Sequence, residues 1–297
     1  MSVDLSSLPA PEVVETIAFE SIVAEARVDF VERYPAAAAS IDLESDPVVK
    51  LLESMAYREL LLRARYNDEA RALLLAFSTG ADLDHIGVTY FNGTERLVVT
   101  PADESTIPPT PAVMESHDEY RMRLQLQPES ESVAGPRDAY RFHAMSASGL
   151  VKDARATRPE SGTVEVFVLS RTGNGAADAE LLAAVSAALT PEDIRPMCDE
   201  VVATSAAIIE YNLDIDLVLF AGPAGEVAKP AAETSLAALA AANHLLGNDI
   251  VDSAIKAAAH KPGVKKAIIN SPPADIICTP GQAPYCTGIT VRIIGVE

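Results

Sequence analysis

Between Pro47 and Gly80 the chain contains neither proline nor glycine. Asp46 is a residue type that caps helix N-termini, and Pro47 suits the first helical position, where its missing N–H would have had no partner. The spacing predicts one helix over residues 47–78, about 32 residues and roughly 48 Å long at ~1.5 Å per residue. Gly80 then stands where a left-handed residue commonly ends a helix. Val48, Leu52, Met55, Leu62, Tyr66, Leu73 and Phe77 fall near one stripe, which Val49, Ala56, Leu60 and Leu74 widen. A helix of this length exceeds the globular norm and needs long partners to bury such a stripe. The preceding sequence offers one shorter helix, over residues 19–34, with Ile22, Val23, Ala26, Phe30 and Val31 inward and Pro35 as its end. That helix is too short to cover the stripe. Helices from other chains would complete the burial as a bundle.

The remaining sequence changes character. Pro9 and Pro11 mark residues 1–18 as an extended arm. Residues 98–115 hold Pro101, Pro108, Pro109 and Pro111 among Thr, Ser, Asp and Glu, the make-up of an exposed linker. A short helix over 118–127 and a second one opened by Gly135-Pro136 and running to Ser146 follow. Strands are expected at 151–157, 163–169, 201–204, 208–220, 264–270 and 287–294, the first two as a hairpin. Ala-rich helices are expected at 178–189 and 226–246, and another at 251–260. The fold class is α+β: an N-terminal helical arm with one very long helix, then two small α+β modules. The boundaries are 1–100 for the arm, 101–115 for the linker, and 116–205 and 206–297 for the modules. Gly149-Leu-Val-Lys-Asp-Ala and Pro262-Gly-Val-Lys-Lys-Ala echo each other, each leading from a helix into a strand, as a duplicated module would.

Composition removes several function classes. Net charge is −20: residues 1–100 carry 8 basic and 17 acidic side chains, residues 101–205 carry 9 and 17, and residues 206–297 carry 6 and 9. Nucleic-acid binding relies on Lys and Arg to displace phosphate counterions, and no segment has a basic surplus. No apolar run approaches the ~20 residues of a membrane span, and the start carries no secretory pattern. Three cysteines, Cys198, Cys278 and Cys286, form an odd set suited to a reducing compartment. With no Trp and few aromatics, an aromatic sugar-binding groove is not expected.

Candidate chemistry is thin. Asp82, Asp84 and His85 could contribute oxygen and nitrogen ligands, but Asp82 equally caps a short helix over 83–88. Thr172-Gly-Asn-Gly precedes a helix, yet Ala176-Ala177-Asp178 follows where a phosphate loop needs Lys and Ser or Thr. Asp214 and Asp216 share one face of a strand and could act as an acid–base pair, or could form a solvated face while Leu213, Ile215 and Leu217 enter the core. His143 has Ser132, Ser146 and Ser148 nearby in sequence but no Gly-x-Ser-x-Gly elbow. Cys278 and Cys286 lack the partners of a zinc site; Cys286 is expected to fill a small buried space beside Tyr285 and Ile289. No catalytic, cofactor or metal site is expected.

Four stretches carry a family resemblance: Ser132-Val-Ala-Gly-Pro-Arg-Asp-Ala-Tyr-Arg-Phe-His-Ala-Met, Met55-Ala-Tyr-Arg-Glu-Leu-Leu-Leu-Arg-Ala-Arg-Tyr-Asn, Thr79-Gly-Ala-Asp-Leu-Asp, and Ala283-Pro-Tyr-Cys-Thr-Gly-Ile-Thr-Val. Together they resemble the baseplate J-like proteins of contractile phage tails and tail-like bacteriocins, over nearly the whole chain. The resemblance implies a structural wedge component of a contractile tail baseplate, built in the bacterial cytoplasm and located in a virion or tail-like particle. It implies pairing with a second copy and with another wedge protein, six wedges closing an iris-like ring around the hub. Sheath-initiating and hub proteins would be further partners, and baseplate rearrangement would be coupled to sheath contraction. On this reading Val48, Leu52, Met55, Leu62, Tyr66, Leu73 and Phe77 enter a helical bundle, and the last module makes copy-to-copy contacts. The alternative is an acidic-cleft enzyme using Asp214, Asp216 or His143, which would require two or more of these groups to converge in one pocket.

Overall fold

Asp46 caps the long helix as its side chain permits: its carboxylate accepts the Val48 N–H at 2.8 Å. The computed structural model describes Leu5, residues 18–221 and residues 225–296, and places the helix, α2, at Pro47–Ala72. The arm expected around Pro9 and Pro11 lies outside the described residues. At 26 residues, α2 is shorter than expected. The chain tightens after Ala72 without any Pro or Gly: Leu74 donates to the Arg71 carbonyl and Phe77 to the Leu74 carbonyl, both at 2.9 Å. Ser78, which also donates to Leu74, is wholly buried, so this turn is fixed by tertiary packing. Gly80 therefore does not end α2. It begins α3 (Gly80–Tyr90) at φ +55°, and Asp82 lies in the first turn of α3, Thr79 holding the cap position.

α2 and α3 belong, with α1 (Phe19–Arg33), to the first of two compact units, Met1–Glu95. Pro35 turns the chain out of α1 through a 3-10 segment, Pro35–Ala39. Two small apolar clusters join α1 to α2. Ile22, Val23 and Ala56 meet Phe19 and Leu60, and Ile41, Val49 and Leu52 meet Ala26, Phe30 and Val31. At ~1.5–3 kcal/mol per fully buried large aliphatic side chain, these clusters hold the first half of α2.

The second unit is Arg96–Glu297. Its start corrects the expected linker. Val98–Thr100 (β1) pairs antiparallel with Val113–Met114 (β2), and between them Asp103 and Thr110 exchange two backbone hydrogen bonds of 2.9 Å. The Thr106 hydroxyl bonds the carbonyls of Asp103 and Pro108, both at 3.1 Å. Pro108 and Pro109 sit near the loop tip, where no ladder N–H is required. Residues 101–115 are thus a folded excursion of the second unit.

Its first layer contains α4 (His117–Ser130), α5 (Arg137–Ser146), β3 (Val151–Glu160), β4 (Thr163–Ser170), α6 (Ala179–Leu189) and β5 (Glu200–Ser205). Ser116 and Glu119 form a reciprocal capping box at the start of α4. The sheet order is β3-β4-β5, antiparallel then parallel, with α6 as the crossover. Phe142, Met145, Val166, Val168, Val185 and Leu189 fill the core between helices and sheet.

The second layer contains β6 (Ala207–Leu219), α7 (Gly225–Asn243), α8 (Asp252–Ala259), β7 (Val264–Ser271) and β8 (Gln282–Val296). Its sheet runs β7-β6-β8, with β7 antiparallel and β8 parallel to β6. Leu213, Ile215, Leu217 and Leu219 alternate into a core with Ala232, Leu236 and Ile255. The sequence echo places β3 and β7 alike, each an edge strand antiparallel to the central one. The connectivities differ, however: β3 turns directly into its central strand, whereas β6 precedes β7 and separates it from β8. A tandem duplication with equal topology is not what the fold contains.

The two layers are fused. Ala206 links β5 to β6, and its N–H donates to the Val168 carbonyl at 2.9 Å. Leu169, Ala206, Leu246 and Ala283 share a buried cluster with Phe167 and Ile208. Asp153, 3% exposed, accepts Arg141 Nη2 at 2.8 Å from its own layer and the Leu246 N–H at 3.1 Å from the other.

Candidate assembly interface

α2 has two apolar faces. Val49, Leu52 and Ala56 point at α1 and are buried. At ~100° per residue, Leu51, Met55, Leu62 and Tyr66 fall within about 60° of one another, roughly a quarter-turn from that covered face. Nothing in the described residues buries them: they are 60%, 59%, 54% and 66% exposed. Salt bridges flank the apolar arc, Glu59 with Arg63 at 2.5 Å and Glu69 with Arg65 at 2.8 Å. Such i,i+4 pairs support the helix without covering the arc.

Of the seven residues expected to face a bundle, Val48, Met55, Leu62, Tyr66 and Leu73 are exposed, Phe77 is half-buried, and Leu52 is buried against α1. Leu52 sits on the covered side because the stripe read from the sequence straddles both faces. Leu73 and Phe77 lie beyond the end of α2. Sequence reasoning missed Leu51, whose position beside Met55 on the helical wheel was the available signal. It also missed exposed Tyr57 and Leu61, which lie on neither face.

The chemical candidates resolve separately. Asp214 and Asp216 lie on the outer face of β6, and both are bound by one cation from β8. Arg292 Nη2 donates to Asp214 at 2.6 Å and Arg292 Nε to Asp216 at 2.8 Å. Asn270 on β7 donates to the other Asp216 oxygen at 2.8 Å. The Asn270 hydrogen bond, then Arg292, hold the Asp216 carboxyl below its usual range. A carboxylate fixed in its charged form by three strands is a poor proton shuttle.

His143 stacks edge-on with Phe142 at 5.5 Å, and burial lowers its pKa. The three serines near it in sequence are engaged elsewhere: Ser146 accepts from Arg123 Nη1 at 3.3 Å, Ser148 from the Leu150 N–H at 3.2 Å, and Ser132 from the Ala134 N–H at 3.3 Å. The Thr172-Gly-Asn-Gly loop serves close packing. A Cβ on Gly175 would meet His244 Nε2 and Leu169 Cδ1, each at 2.7 Å, and Asp178 spends its carboxylate on the Leu181 N–H at 2.8 Å. Among the described residues no cluster of three or more His, Cys, Asp or Glu is placed to hold a metal, so Asp82, Asp84 and His85 do not converge. Cys278 is buried beside Asp249, and Cys286 is half-buried with Ile289 in the second core. A cavity of about 440 Å³ opens beside the Gly135–Tyr140 turn; it is lined by Arg137, Arg158 and Asp199, among others. Its Tyr140 hydroxyl donates to Asp199 at 2.9 Å, and neither His143 nor the Asp214–Asp216 pair reaches it. Among the described residues no helix is long and apolar enough to cross a membrane.

Among the described residues, then, α2 keeps an apolar arc exposed, and no candidate chemical group converges with another in one pocket. Family models match three parts of the chain. The baseplate J-like N-terminal domain matches residues 44–103, the central domain residues 132–205, and the C-terminal domain residues 211–292. The chain belongs to the baseplate J-like family. It is 49% identical over 290 residues to baseplate protein J of Escherichia phage P2, covering 96% of this chain and 95% of that one. A chain of the anti-feeding prophage baseplate matches at 14% identity with a TM-score of 0.41. The match covers 60% of this chain and 44% of that one, too slight a likeness to carry argument.

Proposed function

We propose that this protein is a non-enzymatic wedge subunit of a contractile tail baseplate, and that its α2 arc docks against helices of a second copy or of another wedge protein. The observation that carries this reading is the arc Leu51, Met55, Leu62 and Tyr66, which no described residue buries, on a helix already anchored through its other face. Membership of the baseplate J-like family and the 49% identity to a phage baseplate protein support a structural part of a tail baseplate. The assembly would take place in the bacterial cytoplasm, and the part would remain in the tail or tail-like particle. Its strongly acidic surface fits contact with basic faces of neighbouring proteins and opposes direct binding to nucleic acid.

Reconstitution with the neighbouring tail proteins tests the reading. Met55→Asp with Leu62→Asp should leave the helix content and melting of the isolated chain nearly unchanged while removing it from assembled particles. Normal incorporation of that double variant would refute the docking role of α2.

A further inference from the structure

The cavity of about 440 Å³ beside the Gly135–Tyr140 turn has no part in the assembly reading, and its lining runs against the charge of the chain. The protein as a whole carries −20, yet two guanidinium groups, Arg137 from the start of α5 and Arg158 from β3, line this space with a single carboxylate, Asp199. The carboxylate is already engaged. Asp199 accepts the Tyr140 hydroxyl at 2.9 Å, and its backbone carbonyl accepts Arg195 Nη1 at 2.6 Å. The arginines are not. Among the described residues the Arg137 side chain has no hydrogen-bond or ion-pair partner, and Arg158 has only the neutral Ser161 hydroxyl, at 3.2 Å. A guanidinium offers several N–H donors, so Arg158 keeps most of its capacity.

The cavity is also built before anything enters it. Gly135 takes φ +73°, and a Cβ there would come within 2.9 Å of Pro196. Glycine at this turn lets the segment 134–140 close on the segment 196–199, and the Tyr140–Asp199 hydrogen bond fastens the two. Buried Tyr140, Ala156 and Val164 supply apolar lining from α5, β3 and β4. A cavity of this size, with apolar walls and a few placed polar groups, has the make-up of a small-ligand site.

We propose that it binds a monoanionic carboxylate carried on a short apolar stem. The apolar lining receives the stem. The two arginines receive the carboxylate, whose geometry the planar guanidinium fork matches. Charge selects a monoanion: two cations against Asp199 leave one positive charge, which a single carboxylate neutralises and a phosphate dianion would exceed. Two sources offer this chemistry, a free small acid or an acidic side chain beside an apolar residue on a neighbouring protein. The site is separate from the α2 arc, and the proposal does not rest on the wedge reading.

Calorimetric titration of the full chain tests it, with 4-methylpentanoate, its uncharged amide, and the peptide N-acetyl-Leu-Glu-amide as probes. The acid should bind and the amide should bind far more weakly. Arg137→Gln with Arg158→Gln should weaken the acid about tenfold or more. Both side chains are exposed, so the melting temperature should hardly move. Cys198 gives a readout confined to the site, because it lines the cavity and is exposed, whereas Cys278 is buried and Cys286 half-buried. Bound acid should slow alkylation of Cys198 by iodoacetamide, and inorganic phosphate at equal concentration should not. Tighter binding of the peptide than of the small acid would identify a protein segment as the occupant, and the reverse a free acid. Equal binding of acid and amide, unaltered binding by the double variant, binding without protection of Cys198, protection by phosphate equal to that by the acid, or no binding of either the acid or the peptide would each overturn the proposal. Met55→Asp with Leu62→Asp should leave every one of these results unchanged, which separates this site from α2 docking.

Discussion

Arg123 reaches back eight residues to grip Glu115 with two hydrogen bonds, Nη2 to Oε2 at 2.7 Å and Nε to Oε1 at 3.1 Å, and the two side chains are only 2% and 3% exposed. The pair fastens the β1–β2 excursion to α4. Glu115 also accepts the Leu97 N–H at 3.3 Å, its carbonyl accepts Arg96 Nη1 at 2.8 Å, and both arginines lie near the Tyr120 ring. Removing one member strands a buried charge, a loss of about 3–5 kcal/mol. Glu115→Ala should therefore lower the urea midpoint sharply, whereas Glu115→Leu with Arg123→Met should cost much less than the two single changes summed. A double-variant cost equal to the sum of the two single costs would mean that the pairing itself contributes little. A fragment beginning at residue 116 loses Glu115 and should melt less cooperatively than one beginning at residue 96.

The two faces of α2 should separate stability from assembly. Leu52→Ala removes a side chain buried with Ile41, Val49 and Phe30, and should destabilise the first unit by about 2–4 kcal/mol in a denaturant titration. Leu62→Asp touches none of that cluster and should shift the same titration by less than ~0.5 kcal/mol. If Leu62→Asp unfolds the unit as Leu52→Ala does, the arc is part of an internal core rather than a docking face.

Asp214 and Asp216 yield a contrasting expectation. Their ion pairs with Arg292 lie on the solvent-accessible outer face of a sheet, where screening and side-chain entropy leave little net gain. Asp214→Asn and Asp216→Asn should each leave the urea midpoint nearly unchanged and leave particle infectivity or killing activity intact. His143→Ala should likewise leave activity intact wherever the chain folds and is incorporated. Loss of activity in a normally incorporated variant would revive an acid–base role for these groups.

What the sequence disclosed and what it hid have physical causes. The cap at Asp46-Pro47 and the alternation Leu213, Ile215, Leu217 are local patterns, and both appear in the fold as expected. The end of α2 at Ala72 was hidden because buried Ser78 and the Leu74 carbonyl fix it, not a breaker residue. Glu115 read as linker because its value depends on Arg123, a contact made only when α4 is folded. Leu52 was assigned to the wrong face because a stripe drawn through every apolar position cannot tell which part α1 already covers. β8 begins earlier than expected because Pro284, which argues against a central strand, is tolerated on an outer one.

His244 should make the seam between the two layers sensitive to acid. Its ring meets Tyr285 edge-on at 5.3 Å, its Nε2 is buried without a hydrogen-bonding partner, and Gly175 of the other layer leaves room for it. Burial, with Lys152 nearby adding repulsion, pushes its pKa down from 6.5 to about 4. The unfolded chain therefore takes up this proton before the folded one does. The stability contribution is complete above pH ~6.5, declines as pH falls towards about 4, and changes no further below that value. Acidic side chains titrate in the lower part of the same window, so the informative quantity is a difference between variants. His244→Leu removes the ring proton, and its urea stability should fall less than that of the unaltered chain between pH 6.5 and 4.5. Parallel stability curves for the two proteins across that range would show that His244 is not the group through which acid loosens the seam.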